Sequence, residues 1–495
     1  MRILDSRRGK RVAQAGNGSI DATRRHLLKA GAAAAAMTYL PAAWARRAGR
    51  SWSVFETARN STHRLARLAS PTAAANAAKA TLTCDPQPYG APLLGFGGAL
   101  TESAAYVLAQ LPKAARAQVL HRYYDPDDGI GYTLARTPMT SCDFSRTSWT
   151  LDDVDGDREL KHFSLAPMRQ WQLPLIRDVR DLVGAKRFKL VASPWSPPAW
   201  MKTNRSMIHG GALRADCRGA WADYFVRFVK AMHDEERIAV WALTVQNEPD
   251  AAQPWESCEF SPWAELDFVA NSLGPALERA RLSQVKLFGW DHNRDGLPER
   301  ASAMLGDPRS AKYLAGLAVH WYGREAFAAT SSVLSQFPEK QILLTEACVE
   351  GGAHAGEWAP AERYARNIIG DLRSGVCGFI DWNIALDMHG GPNHAGNLCH
   401  APVLVDAASG EVHFQPSFHY IAHFSKFVRP GARRLRLKGA NHALQSIAFV
   451  NPDGSIAVVV VNPTDAGQEF VLAIGTDARS GQIPAHAIQT FLVDT

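Results

Sequence analysis

Short apolar runs alternate with longer amphipathic stretches between about residue 95 and about residue 410. A short apolar run bounded by polar residues is typical of a buried strand in a parallel sheet. Apolar residues spaced three or four apart are typical of a surface helix. The pattern predicts strands at 132–135, 188–192, 240–245, 285–288, 317–319, 342–344 and 379–380. Between them it predicts helices at 167–182, 220–235, 262–281 and 361–373. Repeated units of this kind predict a parallel sheet in the α/β class.

The glycine-rich segment at residues 95–98 predicts a turn in which the backbone closely approaches another part of the chain. If a first strand ends at this turn, the number of strands reaches eight. Eight parallel strands, each followed by a helix, close into a (β/α)8 TIM barrel. We therefore expect a catalytic barrel at residues 95–410.

The pattern changes period after about residue 415, and no helical pattern remains there. Apolar segments at 444–450 and 456–461 flank Asn451, Pro452, Asp453 and Gly454, whose residue types favour a hairpin turn. Further strands are predicted at 471–474 and 488–493. These strands predict an attached β-sandwich domain at residues 411–495. The segment at 46–94, with a candidate strand at 80–83, is expected to contribute strands to it.

The first 45 residues have the pattern of an export signal. Arg24 and Arg25 precede an alanine-rich apolar run at 30–40, which is followed by Ala43, Trp44 and Ala45, a small-residue cleavage pattern. The run is too short to span a bilayer. We expect a twin-arginine signal peptide at residues 1–45 and a mature protein in the periplasm or outside the cell. The alternative is a short helix that begins with two arginines.

Charge and cysteine content narrow the possible partners. Residues 1–45 carry eight basic and two acidic side chains, a net charge of +6, which equals the net charge of the whole chain. The remainder is therefore close to neutral, which argues against nucleic acid or an anionic membrane as a partner. The seven cysteines form no CxxC pair, so neither a zinc site nor a disulfide framework is indicated.

Two glutamates follow predicted barrel strands. Glu248 lies just after the strand at 240–245, within the sequence QNEP, and Glu346 directly follows the apolar run at 341–345. Active sites of such barrels lie at the carboxyl ends of the strands, so the two carboxylates can face each other across one pocket. A separation of roughly 5 Å would suit glycoside hydrolysis with retention, in which one carboxyl is ionised and the other protonated. A helix cap or an ion pair would explain either glutamate alone, but not both in matching contexts.

Aromatic and polar residues follow several of the other predicted strands. Flat aromatic rings stack on the apolar face of a sugar, and Asp and Asn form directional hydrogen bonds with its hydroxyls. This composition indicates a carbohydrate ligand. It gives no reason to expect a cofactor or a metal ion.

Seven motifs occur in order through residues 93–465: RTPMTSCDFS, SPWSPPAWMKTN, QNEP, AVHWY, TEAC, DWN and HFSKFV. Together they resemble glycoside hydrolase family 30, and within it the glucosylceramidase group. The resemblance implies a TIM barrel fused to a β-sandwich and a retaining mechanism, with Glu248 as the acid/base and Glu346 as the nucleophile. It further implies that Tyr322 lies beside the nucleophile. The implied ligands of a terminal glucose are Asp143, Trp195, Asn247, Trp382 and Asn393.

Several of these residues would also suit a purely structural role. Asp143 and Asn393 would equally suit hydrogen bonds that stabilise a loop, and Trp195 and Trp382 would suit a core. Arg136 fits a structural ion pair as well as a site role. Cys348 fits a packed thiol near the nucleophile. Two further groups stand near the site in sequence: Gln253 and Trp255 in the short loop at 250–257, and the less favoured metal candidates His389, His394, Cys399 and His400.

The sequence therefore predicts an exported retaining β-glycosidase whose substrate is a β-glucoside or a glucolipid, with no obligatory protein partner. Ligands from several barrel loops around one ring predict a pocket closed at one end, and hence exo action. The alternative within the family is an endo-acting β-1,6-glucanase or xylanase, because the fold and the catalytic pair would be the same. A non-catalytic carbohydrate-binding protein is the remaining alternative, and the two glutamates argue against it.

Overall fold

Three strands precede the barrel in the computed structural model, which describes residues 50–74, 81–439 and 443–494. They are β1 (Trp52–Ala58), β2 (Ala66–Arg67) and β3 (Leu82–Tyr89). The predicted export signal at residues 1–45 lies outside the described residues. Among the described residues, no helix combines the length and the apolar character needed to cross a bilayer.

Eight parallel strands, β4 to β11, close into a barrel in which β11 pairs with β4, as predicted. Seven of them, β5 to β11, each contribute one residue to a single buried apolar cluster. Only the interior of a closed barrel brings one position from each of seven strands together, so this cluster fills the centre. The strands are Gly95–Ala99, Leu134–Pro138, Lys189–Ser193, Val240–Thr244, Lys286–Asn293, Gly316–His320, Gln341–Glu346 and Gly378–Asn383.

The prediction of a turn at residues 95–98 is wrong, because these glycines form the first barrel strand, β4. The close backbone approach expected there is present. A Cβ atom on Gly97 would lie 2.0 Å from the carbonyl oxygen of Leu134 in β5, so only glycine fits between the two strands. Three of the five residues of β4 are glycines, so the strand carries almost no hydrophobic pattern and does not look like a strand in the sequence.

Helices follow the strands and cover the outside of the barrel. Gln172–Val183 is representative, because its buried residues Leu173, Ile176, Val179 and Val183 recur at helical spacing along one face. The predicted helix at 262–281 contains a π-helical turn at Val269–Leu273. The barrel helices are Glu102–Ala109, Lys113–Tyr124, Ala166–Arg169, Gln172–Val183, Arg218–Asp234, Pro262–Phe268, Gly274–Arg279, Leu297–Gly306, Pro308–Ala311, Phe327–Gln336 and Ala359–Ser374.

One further helix, Pro416–Ser425, lies where the sequence suggests only strands, so the expectation that no helix follows residue 415 is wrong. Every residue of this helix is buried. A helix without a solvated face has no amphipathic periodicity, which is why the sequence pattern does not reveal it. It packs against the helix Ala359–Ser374 and against β1, where the His423 ring lies 3.0 Å from the Thr57 hydroxyl.

The remaining strands form two sheets. A small sheet at the rim of the barrel contains β12 (Leu386–Asp387), β13 (Val403–Asp406) and β14 (Glu411–Phe414). A separate nine-stranded sheet has the order β19-β18-β3-β15-β16-β17-β20-β1-β2, so strands from both ends of the chain alternate within it. Its C-terminal members are β15 (Arg433–Gly439), β16 (Gln445–Val450), β17 (Ile456–Asn462), β18 (Gln468–Ile474), β19 (Asp477–Ile483) and β20 (Ala487–Val493).

The predicted hairpin is β16 and β17, which pair in antiparallel register from Gln445 opposite Val461 to Val450 opposite Ile456. Strands β15 and β19 were not predicted. Their residues are mostly exposed or half-buried, and they include few apolar side chains. With so few apolar side chains, neither strand shows the regular alternation by which a half-buried strand is recognised.

Candidate active site

A cavity of about 260 Å³ opens at the carboxyl ends of the barrel strands. Both predicted catalytic glutamates line it, together with residues from the loops that follow most of the strands. A larger cavity of about 970 Å³ lies elsewhere, between Arg59, Trp358 and Phe414, and neither glutamate reaches it. The smaller cavity is lined by Asp143, Trp195, Asn247, Glu248, Ala251, Gln253, Trp255, His292, Asn293, Tyr322, Glu346, Cys348, Glu350, Trp382, Asn397 and Cys399.

Glu346 is the last residue of β10, and both of its carboxylate oxygens accept hydrogen bonds. The Tyr322 hydroxyl donates to Oε1 at 2.9 Å, and Arg136 donates from Nη1 to Oε2. Burial raises the pKa of Tyr322 well above its usual value, so the phenol keeps the proton that it donates. Two donors on a buried carboxylate hold it in one orientation.

Glu248 lies four residues beyond the end of β7, in a strained backbone conformation. Its φ angle is +46°, and the facing residues Trp290 and Asp291 have φ angles of +71° and +53°. The left-handed region is costly for residues other than glycine, so the surrounding contacts must impose it. One of them is the bond from the Glu248 amide to the Asp291 carbonyl oxygen at 3.0 Å. The pairing of β8 with β9 also shifts register between Trp290 and His292.

The two carboxyl groups lie close together. One carboxylate oxygen of Glu248, one of Glu346 and one ring nitrogen of His320 all lie within 4.8 Å of one another. Retaining glycosidases separate their two carboxyls by about 5–5.5 Å, whereas inverting enzymes leave about 6.5–9.5 Å for a water molecule. An approach within 4.8 Å between the nearest oxygens is closer to the retaining spacing than to the inverting one.

A buried network holds both glutamates, and its centre is Asp291 in β8. Asp291 accepts from Arg136 Nη2 at 2.8 Å and from the Thr345 hydroxyl at 2.5 Å, and its Oδ1 lies 3.1 Å from His320 Nε2. The other nitrogen of His320, Nδ1, lies 3.3 Å from Glu248 Oε1. Arg136 therefore reaches one glutamate and His320 the other, and a single carboxylate aligns both cations.

This network decides between the two roles that the sequence allows for Arg136. Besides Glu346 and Asp291, its guanidinium donates to Asn247 Oδ1 at 2.8 Å and lies 4.7 Å from the centre of the Trp195 ring. Arg136 therefore belongs to the site. Sequence reasoning missed Asp291 as a site residue and gave His320, at the end of a predicted strand, no role; both lie in the carboxyl-terminal parts of barrel strands and are fully buried. A polar residue at the carboxyl end of a predicted barrel strand was the signal in the sequence that could have identified them.

The charges of the network determine where protons reside. Burial acts to lower the pKa of His320, but Glu346, Asp291 and Glu248 together raise it to about 9. Burial opposes ionisation of Asp291, yet Arg136 and His320 keep its pKa well below the usual range. At neutral pH the site therefore contains two cations and one permanent anion beside Glu248 and Glu346.

The pKa shifts of Glu248 and Glu346 run opposite to the expectation of a protonated Glu248. Burial and the Glu248 carboxylate raise the pKa of Glu346, against the opposing charges of His320 and Arg136. Burial acts to raise the pKa of Glu248 too, but the hydrogen bond and charge of His320 outweigh it and lower the pKa. Carboxyls this close titrate as a pair, and one shared proton makes the network neutral overall. A proton bound there is a property of the pair rather than of one residue.

Two stacked tryptophans form the wall of the cavity beside Arg136. The rings of Trp195 and Trp382 lie 5.3 Å apart at an angle of 25°, and Phe144 meets Trp382 edge-on at 6.0 Å. Both tryptophans line the cavity although each is only 2 % exposed. They serve at once as core residues and as a flat apolar surface that a sugar ring can meet.

Asp143 and Asn397 provide the polar groups next to this wall. Asp143 Oδ2 accepts from Asn397 Nδ2 at 2.9 Å and from Asn393 Nδ2 at 3.1 Å. Burial raises the pKa of Asp143 to about 7, against the opposing effect of these two amides. Both amides bind the same oxygen, so the other oxygen of Asp143 remains available to a ligand.

Asn393 does not line the cavity, in contrast to the other implied glucose ligands. Its Nδ2 also donates to the Asn397 carbonyl oxygen at 3.0 Å, and its Oδ1 accepts from the amides of Ala395 and Asn397. Every polar atom of the side chain is therefore used within the loop and on Asp143, as expected of a residue that stabilises a loop. Asn397, which sequence reasoning missed, has the position in the cavity.

The remaining candidate residues fall into two groups, those that line the cavity and those that do not. His400 lies 2.7 Å from the Ala353 carbonyl oxygen and 2.7 Å from the Ser417 hydroxyl, whereas His394 faces Ser145 and His389 is exposed. These rings do not converge on a common point.

Gln253 and Trp255 do line the cavity, and Gln253 Nε2 lies 3.5 Å from Glu248 Oε2. Cys348 and Cys399 also line it, and the Cys348 sulfur lies 3.4 Å from the Tyr322 hydroxyl.

Comparisons with known proteins agree with this geometry. Residues 93–428 match the glycosyl hydrolase family 30 TIM-barrel domain, and residues 431–491 match the family's β-sandwich domain. The chain is 34 % identical over 434 residues to the lysosomal acid glucosylceramidase of Mus musculus, covering 83 % of each. It is 30 % identical over 421 residues to an endo-1,6-β-D-glucanase of Neurospora crassa, covering 81 % of this chain and 85 % of the relative. The crystal structure of SrfJ from Salmonella typhimurium superposes with a TM-score of 0.85 at 33 % identity, covering 89 % of this chain and 99 % of that one.

Proposed function

The chain belongs to glycoside hydrolase family 30, and on that premise we propose that it is an exported, retaining, exo-acting β-glucosidase that removes single glucose units from β-glucosides or glucolipids. The observation that carries the proposal is the pair of carboxyl groups with oxygens within 4.8 Å of each other. That closeness supports a double displacement over a single displacement by water, which needs more room between the carboxyls.

In the first step, the Glu346 carboxylate attacks the anomeric carbon and the bond to the leaving oxygen breaks. Glu248 gives its proton to that oxygen, so the leaving group departs as a neutral alcohol. Tyr322 and Arg136 hold Glu346 while it is ionised. This step requires the shared proton to reside on Glu248, which is the form of the pair that a substrate with its glycosidic oxygen beside Glu248 selects.

In the second step, Glu248 is ionised and takes a proton from a water molecule that attacks the same anomeric carbon. The ester bond to Glu346 breaks, glucose leaves with its original configuration, and the proton returns to the pair. His320 faces Glu248 and carries a positive charge at neutral pH, which supports the ionised form needed for this step. One cationic neighbour for each glutamate therefore suits both halves of the cycle.

Exo action is supported by the size and the lining of the cavity. A volume of about 260 Å³ is below the roughly 300–1,000 Å³ of typical ligand pockets, so it suits one sugar ring better than a chain. The stacked tryptophans Trp195 and Trp382 offer an apolar wall, and Asp143, Asn247 and Asn397 offer polar groups around it. The short loop with Gln253 adjoins Glu248 and therefore borders the leaving group.

The second candidate function is endo-acting hydrolysis of β-1,6-glucan. It is favoured by the similarity to the endo-1,6-β-D-glucanase of Neurospora crassa, at 30 % identity over most of both chains. The same carboxyl pair would serve both activities, so the difference lies in whether the cavity continues past the glucose that it binds.

The sizes of the early products distinguish the two candidates. β-1,6-Glucan and an aryl β-glucoside would be incubated with the enzyme, and products would be separated at short reaction times. Exo action yields glucose from the first time point without intermediate oligosaccharides. Oligosaccharides that appear before glucose would overturn exo action in favour of the glucanase, and inverted configuration of the first product would overturn retention.

A further inference from the structure

Three loops of the barrel meet behind Asp143, on the side away from the sugar cavity. They are the loop at 139–150, the loop at 250–257 and the glycine-rich loop at 390–400. One side chain from the second loop, Glu256, and one from the third, His394, face each other there with Glu256 Oε2 3.3 Å from His394 Nε2. Neither residue lines the cavity, and the reaction steps described above do not use them.

Glu256 is held by a hydrogen bond at Oε1, and its other oxygen, Oε2, faces the His394 ring. The side chain is 1 % exposed, and Oε1 accepts from the Ser141 hydroxyl at 2.6 Å, two residues before Asp143. Burial acts to raise the pKa of Glu256, but His394 and the serine hydroxyl outweigh it and lower the pKa. Glu256 is therefore an ionised, buried carboxylate that joins the loop at 250–257 to the loop that carries Asp143.

His394 has an acceptor at each ring nitrogen. Nε2 faces Glu256, and Nδ1 lies 3.0 Å from the Ser145 carbonyl oxygen. Only the doubly protonated ring can donate to both. The hydrogen bond to Glu256 raises the pKa of His394 despite partial burial, and Asp143 adds to the rise; these are the two carboxylates that face the ring. Protonation of the ring makes this contact an ion pair between an imidazolium and a carboxylate.

The same segment holds Asp143 directly. The backbone amide of His394 donates to the Asp143 carbonyl oxygen at 3.1 Å, and the preceding residue, Asn393, donates to its carboxylate at 3.1 Å. The main chain of Asp143 therefore depends on where His394 lies, and His394 depends on Glu256. Loss of either member removes the side-chain contact between the loop at 250–257 and the segment that holds Asp143.

We propose that Glu256 and His394 are positioning residues that set the Asp143 carboxylate for sugar recognition and join it to the loop beside the leaving group. This inference rests on the proposed function only in taking Asp143 to be a sugar ligand. It identifies a pair that affects binding of the glucose ring without touching it. Misplacing a binding group by about 1 Å costs roughly a hundredfold in rate, so partial loosening of Asp143 should be measurable.

The test compares His394→Gln and Glu256→Gln with His389→Gln as the matched control. His389 is an exposed histidine of the same loop, so its substitution changes the same residue type outside the pair. With an aryl β-glucoside of good leaving group, the two pair variants should raise KM about tenfold while kcat changes less than threefold, since the carboxyl pair is untouched. The control should match the wild type.

A second arm separates positioning from stability. Each pair substitution would be combined with Asp143→Asn, and active enzyme would be counted by covalent labelling so that unfolded protein does not enter kcat. If the pair acts through Asp143, its substitution should change kcat/KM less than twofold in the Asp143→Asn background. The proposal would be overturned if the pair substitutions lowered kcat/KM as much in the Asp143→Asn background as in the wild type. It would also be overturned if they changed KM no more than His389→Gln does.

A third measurement is independent of activity. The pKa of His394, followed by NMR titration, should lie above that of a solvated histidine in the wild type and fall by about one unit or more in Glu256→Gln. A His394 pKa that is unchanged in Glu256→Gln would refute the interaction of Glu256 with His394, even if the enzyme proved inactive on every β-glucoside. Inactivity on every β-glucoside would refute the proposed function. The titration would still decide separately whether Glu256 and His394 interact.

Discussion

Replacing His320 by glutamine should move the whole pH profile of the enzyme to higher pH. His320 is buried, and its nitrogens lie 3.3 Å from Glu248 and 3.1 Å from Asp291. The substitution removes a positive charge from between the carboxylates and leaves an amide of similar length. The ionised forms of Glu248 and Glu346 then lose part of their electrostatic support, so their pKa values rise.

The size of the shift in the pH profile follows from the pKa of His320, because His320 and the carboxylates stabilise each other by the same free energy. The pKa of His320 is about 9 instead of 6.5, which corresponds to at least about 3 kcal/mol of interaction with its neighbours, because burial alone would have lowered the pKa. The cation stabilises the ionised carboxylates by the same total. Shared among Glu346, Asp291 and Glu248, this amounts to about 1 kcal/mol each, or a little under one pKa unit. Both limbs of the profile should therefore shift upward by about one pH unit.

The assay is kcat/KM for an aryl β-glucoside measured from pH 4 to pH 10, which reports the ionisations of the free enzyme. His292→Gln serves as the comparison. Burial lowers the pKa of His292, and its charge contributes less than that of His320 to the lowered pKa of Glu248, so its loss should move the profile less than the loss of His320, whatever happens to the rate. A profile of His320→Gln that stays at the wild-type pH would refute the charge argument, even if activity fell.

The remaining predictions concern the nucleophile, the sugar ligand and export. Glu346→Gln should abolish turnover, and a 2-fluoro-glucoside should label Glu346 alone; in Glu248→Gln, azide should restore turnover of activated substrates and give a β-glucosyl azide. Labelling of another residue would contradict the assignment. Asp143→Ala should lower kcat/KM by about 10²-fold or more, because sugar hydroxyls would be buried without partners; a loss under tenfold would show that Asp143 is not a ligand. Replacing Arg24 and Arg25 by lysine should stop export, which fractionation tests, and continued processing at the same site would argue against a twin-arginine signal.

The sequence alone was sufficient for the barrel and for its two glutamates. Buried parallel strands are short continuous apolar runs, and this property is local, so seven strands are visible without any knowledge of their partners. Glu248 and Glu346 each follow such a run, and all barrel strands point the same way. Their meeting in one cavity is therefore a consequence of topology that the order of elements already contains.

Where local periodicity is missing, the sequence misled. The glycines of β4 have no side chains to form a pattern, and the helix Pro416–Ser425 is buried on every side. In both cases the element is specified by close contact with residues far away in the chain. Leu134 leaves room only for glycine at position 97, for example.

Only the tertiary structure decided which polar side chains serve the site. Asn393 and Asn397 lie four residues apart in one loop, and local sequence does not reveal that the first holds Asp143 while the second reaches the cavity. Arg136 and Asp291 are 155 residues apart, yet their ion pair aligns both glutamates. The direction of a side chain and the pKa of a buried group depend on neighbours that folding brings together from distant strands. Hydrophobic periodicity reports one element at a time, so these properties appear only when the barrel is closed.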